Sequence, residues 1–180
     1  MNAAARHLHG FEDPGPRCEA QRDTVLTVHA LLPPILDASE RAHPGLVAAF
    51  GLLTLVTLAR SFAHLLLPDG GAQSIATIPL EAFGPAAADA VVFVFALWGL
   101  AQALMGAFYV VALVRYQALI PFCLLLMVLE YGARVAIGQA RPIETASTAP
   151  GAIGNYVMIP LTLGLLVWSL TRRTAQTDRM

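Results

Sequence analysis

Long apolar runs alternate with short polar breaks along the chain, and four of the runs reach membrane-spanning length. They are LVAAFGLLTLVTLARSFAHLLL (46–67), AVVFVFALWGLAQALMGAFYVVALV (90–114), QALIPFCLLLMVLEYGARVAI (117–137) and IGNYVMIPLTLGLLVWSL (153–170). A helix needs about 20 apolar residues to cross a bilayer. The runs do not alternate apolar and polar positions, so barrel strands are a poor alternative. His43-Pro44-Gly45 opens the first run and Pro68-Asp69-Gly70-Gly71 closes it. Gly84-Pro85 precedes the second, with Asp89 as a candidate cap. Pro121 falls in the first turn of the third and Pro160 inside the fourth. The pattern predicts an all-α polytopic membrane protein, a four-transmembrane-helix bundle.

Residues 1–45 form an N-terminal tail. Within it, Val25, Leu26, Val28, Leu31, Leu32, Ile35 and Leu36 stand among Asp37, Glu40 and Arg41, and Pro33-Pro34 interrupts them. This predicts a short amphipathic segment lying on the membrane surface. Residues 171–180 form a basic C-terminal tail. The link between spans two and three is only Arg115-Tyr116, which predicts a tight antiparallel hairpin, with spans 1+2 and 3+4 as looser halves. The 68–89 loop carries Asp69, Glu81 and Asp89 and no basic residue, whereas Arg115, Arg172, Arg173 and Arg179 fall on the opposite side. The positive-inside rule then places both termini in the cytoplasm of an inner-membrane, multi-pass protein, with Arg141 the one basic residue against it.

Composition sharpens this reading. The chain is 57% hydrophobic and 13% charged, against about 25% charged for a soluble domain. A net charge of -1 leaves no basic surface for nucleic acid. All eleven basic residues are arginine. Cys18 lies in the polar tail and Cys123 in an apolar run, so no disulfide is expected. The first 20 residues lack the apolar stretch of a cleavable leader.

LEYGARVAIG (129–138) raises the functional question, because Glu130 and Arg134 interrupt a span. At 1.5 Å per residue, Arg60 stands roughly 21 Å and Glu130 roughly 20 Å above the inner boundary. His64 and Arg134 match one turn further out. Gln102 follows at roughly 17 Å, while Asn155 and Tyr156 sit near the outer end of span four. Pro160 supplies no N–H to the Tyr156 carbonyl. The candidate polar network is therefore Arg60, His64, Gln102, Glu130, Arg134, Asn155 and Tyr156, with the inner halves of the spans apolar. Charges at this depth should face one another or an opening. Arg60 is the expected partner of Glu130 across helices, and Asp69, Glu81 or Asp89 are candidate further acceptors. Gly132 is expected to leave room for a neighbouring group. Gly99, Ala103 and Ala107, with Gly106 beside them, form a small-residue stripe for internal packing.

The network reads in two ways, as a structural clasp or as a site for an anionic lipid or headgroup, since two arginines and a histidine face one carboxylate. No catalytic residue is assigned. Ser61 is placed on a different face from His64, and no Ser/His/Asp spacing, HExxH or phosphate loop occurs. The His7-Leu8-His9 pair, His29 and His43 have no evident ligand partners, so no metal or cofactor is expected. The leading expectation is a binding or assembly protein without catalysis of its own. Its partners are membrane lipid, another membrane protein or a second copy, and not nucleic acid. A proton-coupled transporter component and a membrane enzyme acting on a lipid or isoprenoid are the alternatives. In size and layout the chain resembles small four-span membrane proteins such as the DoxX-like group, a likeness that carries no motif and implies no residue role.

Overall fold

The computed structural model of the protein describes residues 31–32, 35–38 and 41–177. Four long helices carry the fold: α1 (Pro44–Leu66), α2 (Pro85–Val114), α3 (Ile120–Ala140) and α4 (Pro150–Thr177). Short 3-10 turns cover Leu80–Ala82 and Gln117–Leu119, and no strand occurs among the described residues. Most of the expected tail segment, with Pro33-Pro34, and Cys18, His7, His9, His29 and Arg179 lie outside the described residues.

Proline sets most of the helix starts. Pro44, Pro85 and Pro121 occupy first-turn positions, and Pro150 begins α4. A missing N–H costs nothing there, and the ring presets φ. This moves the α2 start ahead of the expected position. Its N-cap is Gly84 and not Asp89, which lies inside the helix. At 30 residues α2 is about 45 Å long, well beyond an apolar core of about 30 Å. All four helices are long and apolar enough to span a membrane. Their outward surfaces are apolar as well, with Phe93 and Leu104 both more than 60% exposed. A soluble bundle would turn such faces inward.

The closest helix pairs are α1 with α2 and α3 with α4. The two-residue link between spans two and three does not make a tightly packed hairpin, because a turn fixes only the adjoining ends. Faces decide the rest. On α2 the buried positions are Gly99, Gln102, Gly106, Tyr109 and Ala112, a helical stripe turned toward α1. A methyl group on Gly99 would lie 2.8 Å from His64 Cβ and 3.0 Å from Ser61 O. One on Gly106 would lie 2.5 Å from Leu58 Cδ2. The close-packing residues are thus Gly99 and Gly106, while Ala107 faces outward.

Both ends of the bundle are tied. At one end, which gathers the chain before α1, the 115–119 turn and the last turns of α4, Ala42 N–H donates to Gln117 Oε1 at 3.0 Å. The His43 ring there meets Trp168 edge-on at 5.3 Å. We call this the terminal end. Its half of the bundle holds the apolar core, centred on Phe50, Ile120, Cys123 and Leu124, all at 0% exposure.

At the opposite, loop end, Asp69 organises the turn after α1. Its carboxylate accepts from the N–H groups of Gly71, Gln73 and Ser74 at 2.9, 3.1 and 2.6 Å. Partial burial alone would raise this carboxyl, but those bonds outweigh it and hold Asp69 at about 2. Gly70 and Gly71 take φ of 60° and 73°, as the turn requires. Thr77 latches the two outer loops: its Oγ1 donates to Ser147 O at 2.7 Å, and its carbonyl accepts from Ala146 N–H at 2.8 Å. It does so at φ 58°, a strained conformation for a β-branched residue.

Candidate functional site

Three helices build the polar cluster in the loop-end half. Arg60 comes from the fifth turn of α1, Gln102 from the buried stripe of α2, and Glu130 and Arg134 from consecutive turns of α3. Arg60 Nη2 donates to Gln102 Oε1 at 2.9 Å. Gln102 Nε2 donates to Glu130 Oε1 at 2.5 Å. Arg134 completes the set with an i,i+4 ion pair to the same Glu130 oxygen.

The expected direct Arg60–Glu130 pair is therefore replaced by a relay through Gln102. The reason lies in helix order. α2 packs closely on α1, whereas α1 and α3 make no comparable approach. A carboxamide carries an acceptor and a donor on one planar group, so it can link a guanidinium to a carboxylate across that gap. The matching depths of Arg60 and Glu130 hold, since one side chain reaches both.

Two rings that the sequence did not single out cover the guanidinium groups. Arg134 Cζ stands 4.6 Å from the Trp98 ring centroid and 5.9 Å from that of Tyr131. Arg60 Cζ lies 5.9 Å from each ring. Both cations thus converge on the same aromatic pair, where the π faces supply some of the stabilisation that water would give. A signal was present in the spacing. Trp98 precedes Gln102 by four residues and Tyr131 precedes Arg134 by three, so each shares a helix face with a network residue.

His64 belongs to the edge of the cluster. Its Nδ1 is 2.7 Å from Gly70 O, an acceptor, so Nδ1 carries the proton. Its ring lies 4.6 Å from that of Trp98, the same ring that Arg134 approaches. Ser61 shares the buried face of α1 with His64, correcting the placement on a separate face, because residues three apart are neighbours on a helix. Its hydroxyl donates to Thr57 O at 2.7 Å and is not aimed at the imidazole.

The remaining candidates stand apart. Tyr156 is 57% exposed, and its hydroxyl accepts from Gln139 Nε2 at 3.4 Å. Asn155 is half-buried one residue earlier. Among the described residues no hydrogen bond links either to the Arg60–Gln102–Glu130 relay. The loop acids also stay away from the arginines. Asp69 serves its own turn, and Glu81 accepts from Gln73 Nε2 at 2.7 Å. Gly132 faces open space, with nothing within 4 Å of an added methyl group.

The cluster is thus two guanidinium groups against one carboxylate. Arg60 Nε is sealed from solvent without a partner. Arg134 and Glu130 retain 16% and 30% exposure, so the cluster is partly exposed on its α3 side. Among the described residues no three His, Cys, Asp or Glu side chains gather as a metal set. No family model matches this chain, and comparison with curated proteins and with solved structures found no match.

Proposed function

We propose that this is a binding-type membrane protein whose Arg60–Gln102–Glu130–Arg134 cluster joins the helix pairs and receives an anionic lipid headgroup. The carrying observation is the charge imbalance, two guanidinium groups against one carboxylate, with the Arg134 edge partly exposed. An uncompensated cation at membrane depth is costly. A phosphate or carboxylate bound to the partly exposed edge of Arg134 would offset it with charge-assisted bonds. Asn155 and Tyr156, near the same end on α4, are assigned to the rim of this site. The apolar terminal half speaks against a continuous polar route through one chain. The arginine distribution supports an inner-membrane location with the terminal end in the cytoplasm, and self-association would leave the site on each copy.

The test is lipid-dependent stability. The full-length protein is placed in nanodiscs of phosphatidylcholine alone or with phosphatidylglycerol, and thermal unfolding is followed. Anionic lipid is expected to raise the wild-type melting temperature. Arg134→Gln, and the charge-neutral pair Glu130→Gln with Arg134→Gln, should lose that increment. An increment of equal size in both variants would overturn the assignment.

A further inference from the structure

The charges of the cluster leave a definite remainder. Arg134 pairs with Glu130, and the same Glu130 oxygen accepts from Gln102 Nε2. Arg60 gives Nη2 to the Gln102 carboxamide, which is neutral. Both guanidinium groups lie within 5.9 Å of the Trp98 and Tyr131 ring centroids, so the charges form one group. Among the described residues no loop acid joins them. Asp69 accepts from the amides of its own turn, and Glu81 from Gln73. Glu144 and Asp89 are exposed, Asp89 about 13.5 Å beyond Trp98 toward the loop end of α2. His64 commits Nδ1 to Gly70 O. One positive charge is left over, and at membrane depth it calls for one negative charge.

The position of Glu130 also limits the ligand. Its side chain is 30% exposed and that of Arg134 16%, so the carboxylate borders the same partly exposed edge as the guanidinium. An anion on that edge meets attraction from two arginines and repulsion from one carboxylate. Its first negative charge completes neutrality. A second has no cation left to pair with and lies beside Glu130, where like charges oppose each other in a medium of low dielectric. The guanidinium fork suits phosphate and carboxylate oxygens alike, so charge is what separates candidate headgroups.

We infer that Glu130 sets the charge of the ligand: the site takes a singly charged headgroup, a phosphodiester or a carboxylate, and discriminates against a doubly charged phosphomonoester. This rests on the headgroup assignment above and adds a selection rule to it. Glu130 is then a specificity-determining residue as well as the partner that holds Arg134. Arg60, which reaches Glu130 only through Gln102, supplies the charge that the ligand answers.

Thermal unfolding of the full-length protein in phosphatidylcholine nanodiscs tests it, with phosphatidylglycerol, oleate or phosphatidic acid added at equal mole fraction. The measurement is made at about pH 8, where an ordinary imidazole is neutral and a phosphomonoester carries close to two charges. For each lipid, the increment that remains in Arg134→Gln is subtracted as the general surface effect. The better of the two singly charged lipids should raise the wild-type melting temperature about twofold more than phosphatidic acid does. Which of the two it is names phosphodiester or carboxylate as the source. Glu130→Gln removes the opposing carboxylate and should reverse the order in favour of phosphatidic acid. Arg60→Gln balances Arg134 against Glu130 and should lose the singly charged increment although Arg134 remains. That variant reads the charge count even where Glu130→Gln does not fold. A phosphatidic acid increment that equals or exceeds the others in wild type, an order unchanged in Glu130→Gln, or an increment kept in Arg60→Gln would overturn the selection rule and leave the headgroup assignment standing. No increment from any anionic lipid, or one kept whole in Arg134→Gln, would overturn the assignment and the rule with it.

Discussion

Replacing Gln102 by leucine removes the relay while nearly keeping the volume, and its cost follows from the geometry. Gln102 is 5% exposed and makes two bonds to charged partners, from Arg60 at 2.9 Å and to Glu130 at 2.5 Å. In a soluble protein each would contribute about 1.5–3 kcal/mol. Interhelical polar contacts within membranes contribute less, about 1–2 kcal/mol in model peptides, because the dissociated helices find other partners. Two such bonds give an expected loss of about 2–4 kcal/mol. Reversible unfolding in mixed detergent–lipid micelles, followed by tryptophan fluorescence, reads this directly, since Trp98 lies against both arginines. A double-mutant cycle with Arg60→Leu adds a second check. If Gln102 is the link, removing Arg60 in the Gln102→Leu background should cost well under the single substitution, with coupling of about 1 kcal/mol or more. A Gln102→Leu protein within about 0.5 kcal/mol of wild type, the range of an ordinary surface change, would refute the relay as a source of stability. Full additivity with Arg60→Leu would refute it as a connected unit.

Gly99→Ala should destabilise by about 1–3 kcal/mol, since the new methyl group meets His64 Cβ and the Ser61 carbonyl. Gly132→Ala, with open space around it, should be neutral or stabilising by up to about 1 kcal/mol through helix propensity; the reverse order in the same unfolding assay would contradict the α1–α2 packing. The turn after α1 should depend on acid. The Asp69 carboxyl is held at about 2, below its usual 3.8, so its contribution is complete above about pH 4 and fades as the pH falls toward 2. Amide exchange at Gln73 and Ser74, corrected for intrinsic pH dependence, should therefore lose protection over that window, and Asp69→Ala should lack it at every pH. Thr77→Val keeps the strained backbone but loses the hydroxyl bond to Ser147. Faster exchange at the Ala146 amide is the expected result, and unchanged exchange would show that the latch does not depend on that hydroxyl.

The fold was legible because apolar run length is a one-dimensional property. Each of the four runs falls within or near the roughly 17–25 residues that cross a bilayer, and prolines mark where the helices begin. Two boundaries moved outward for a local reason. Gly84-Pro85 starts α2 before its apolar run begins, and α4 continues to Thr177 beyond its own run. Depth was legible too, because rise per residue is constant, so Arg60 and Glu130 could be placed level without knowing how the helices are arranged. What a linear pattern does not carry is the rotation of each helix about its axis and the choice of neighbour. Those depend on which small residues let two backbones approach.

Gly99 and Gly106 draw α2 onto α1, and this turns Gln102 into the gap between Arg60 and Glu130. The same rotation carries Trp98 over Arg134 and buries Tyr109 beneath the cluster. Asn155 and Tyr156 share the cluster's end of the bundle, yet α4 pairs with α3 and keeps Tyr156 at the surface. The amino-acid sequence alone determined four spans, their polar level and an excess of guanidinium over carboxylate. Only the tertiary structure decided that a carboxamide links the charges and that two aromatic rings cover them, because side-chain partnership follows from helix rotation and packing distance.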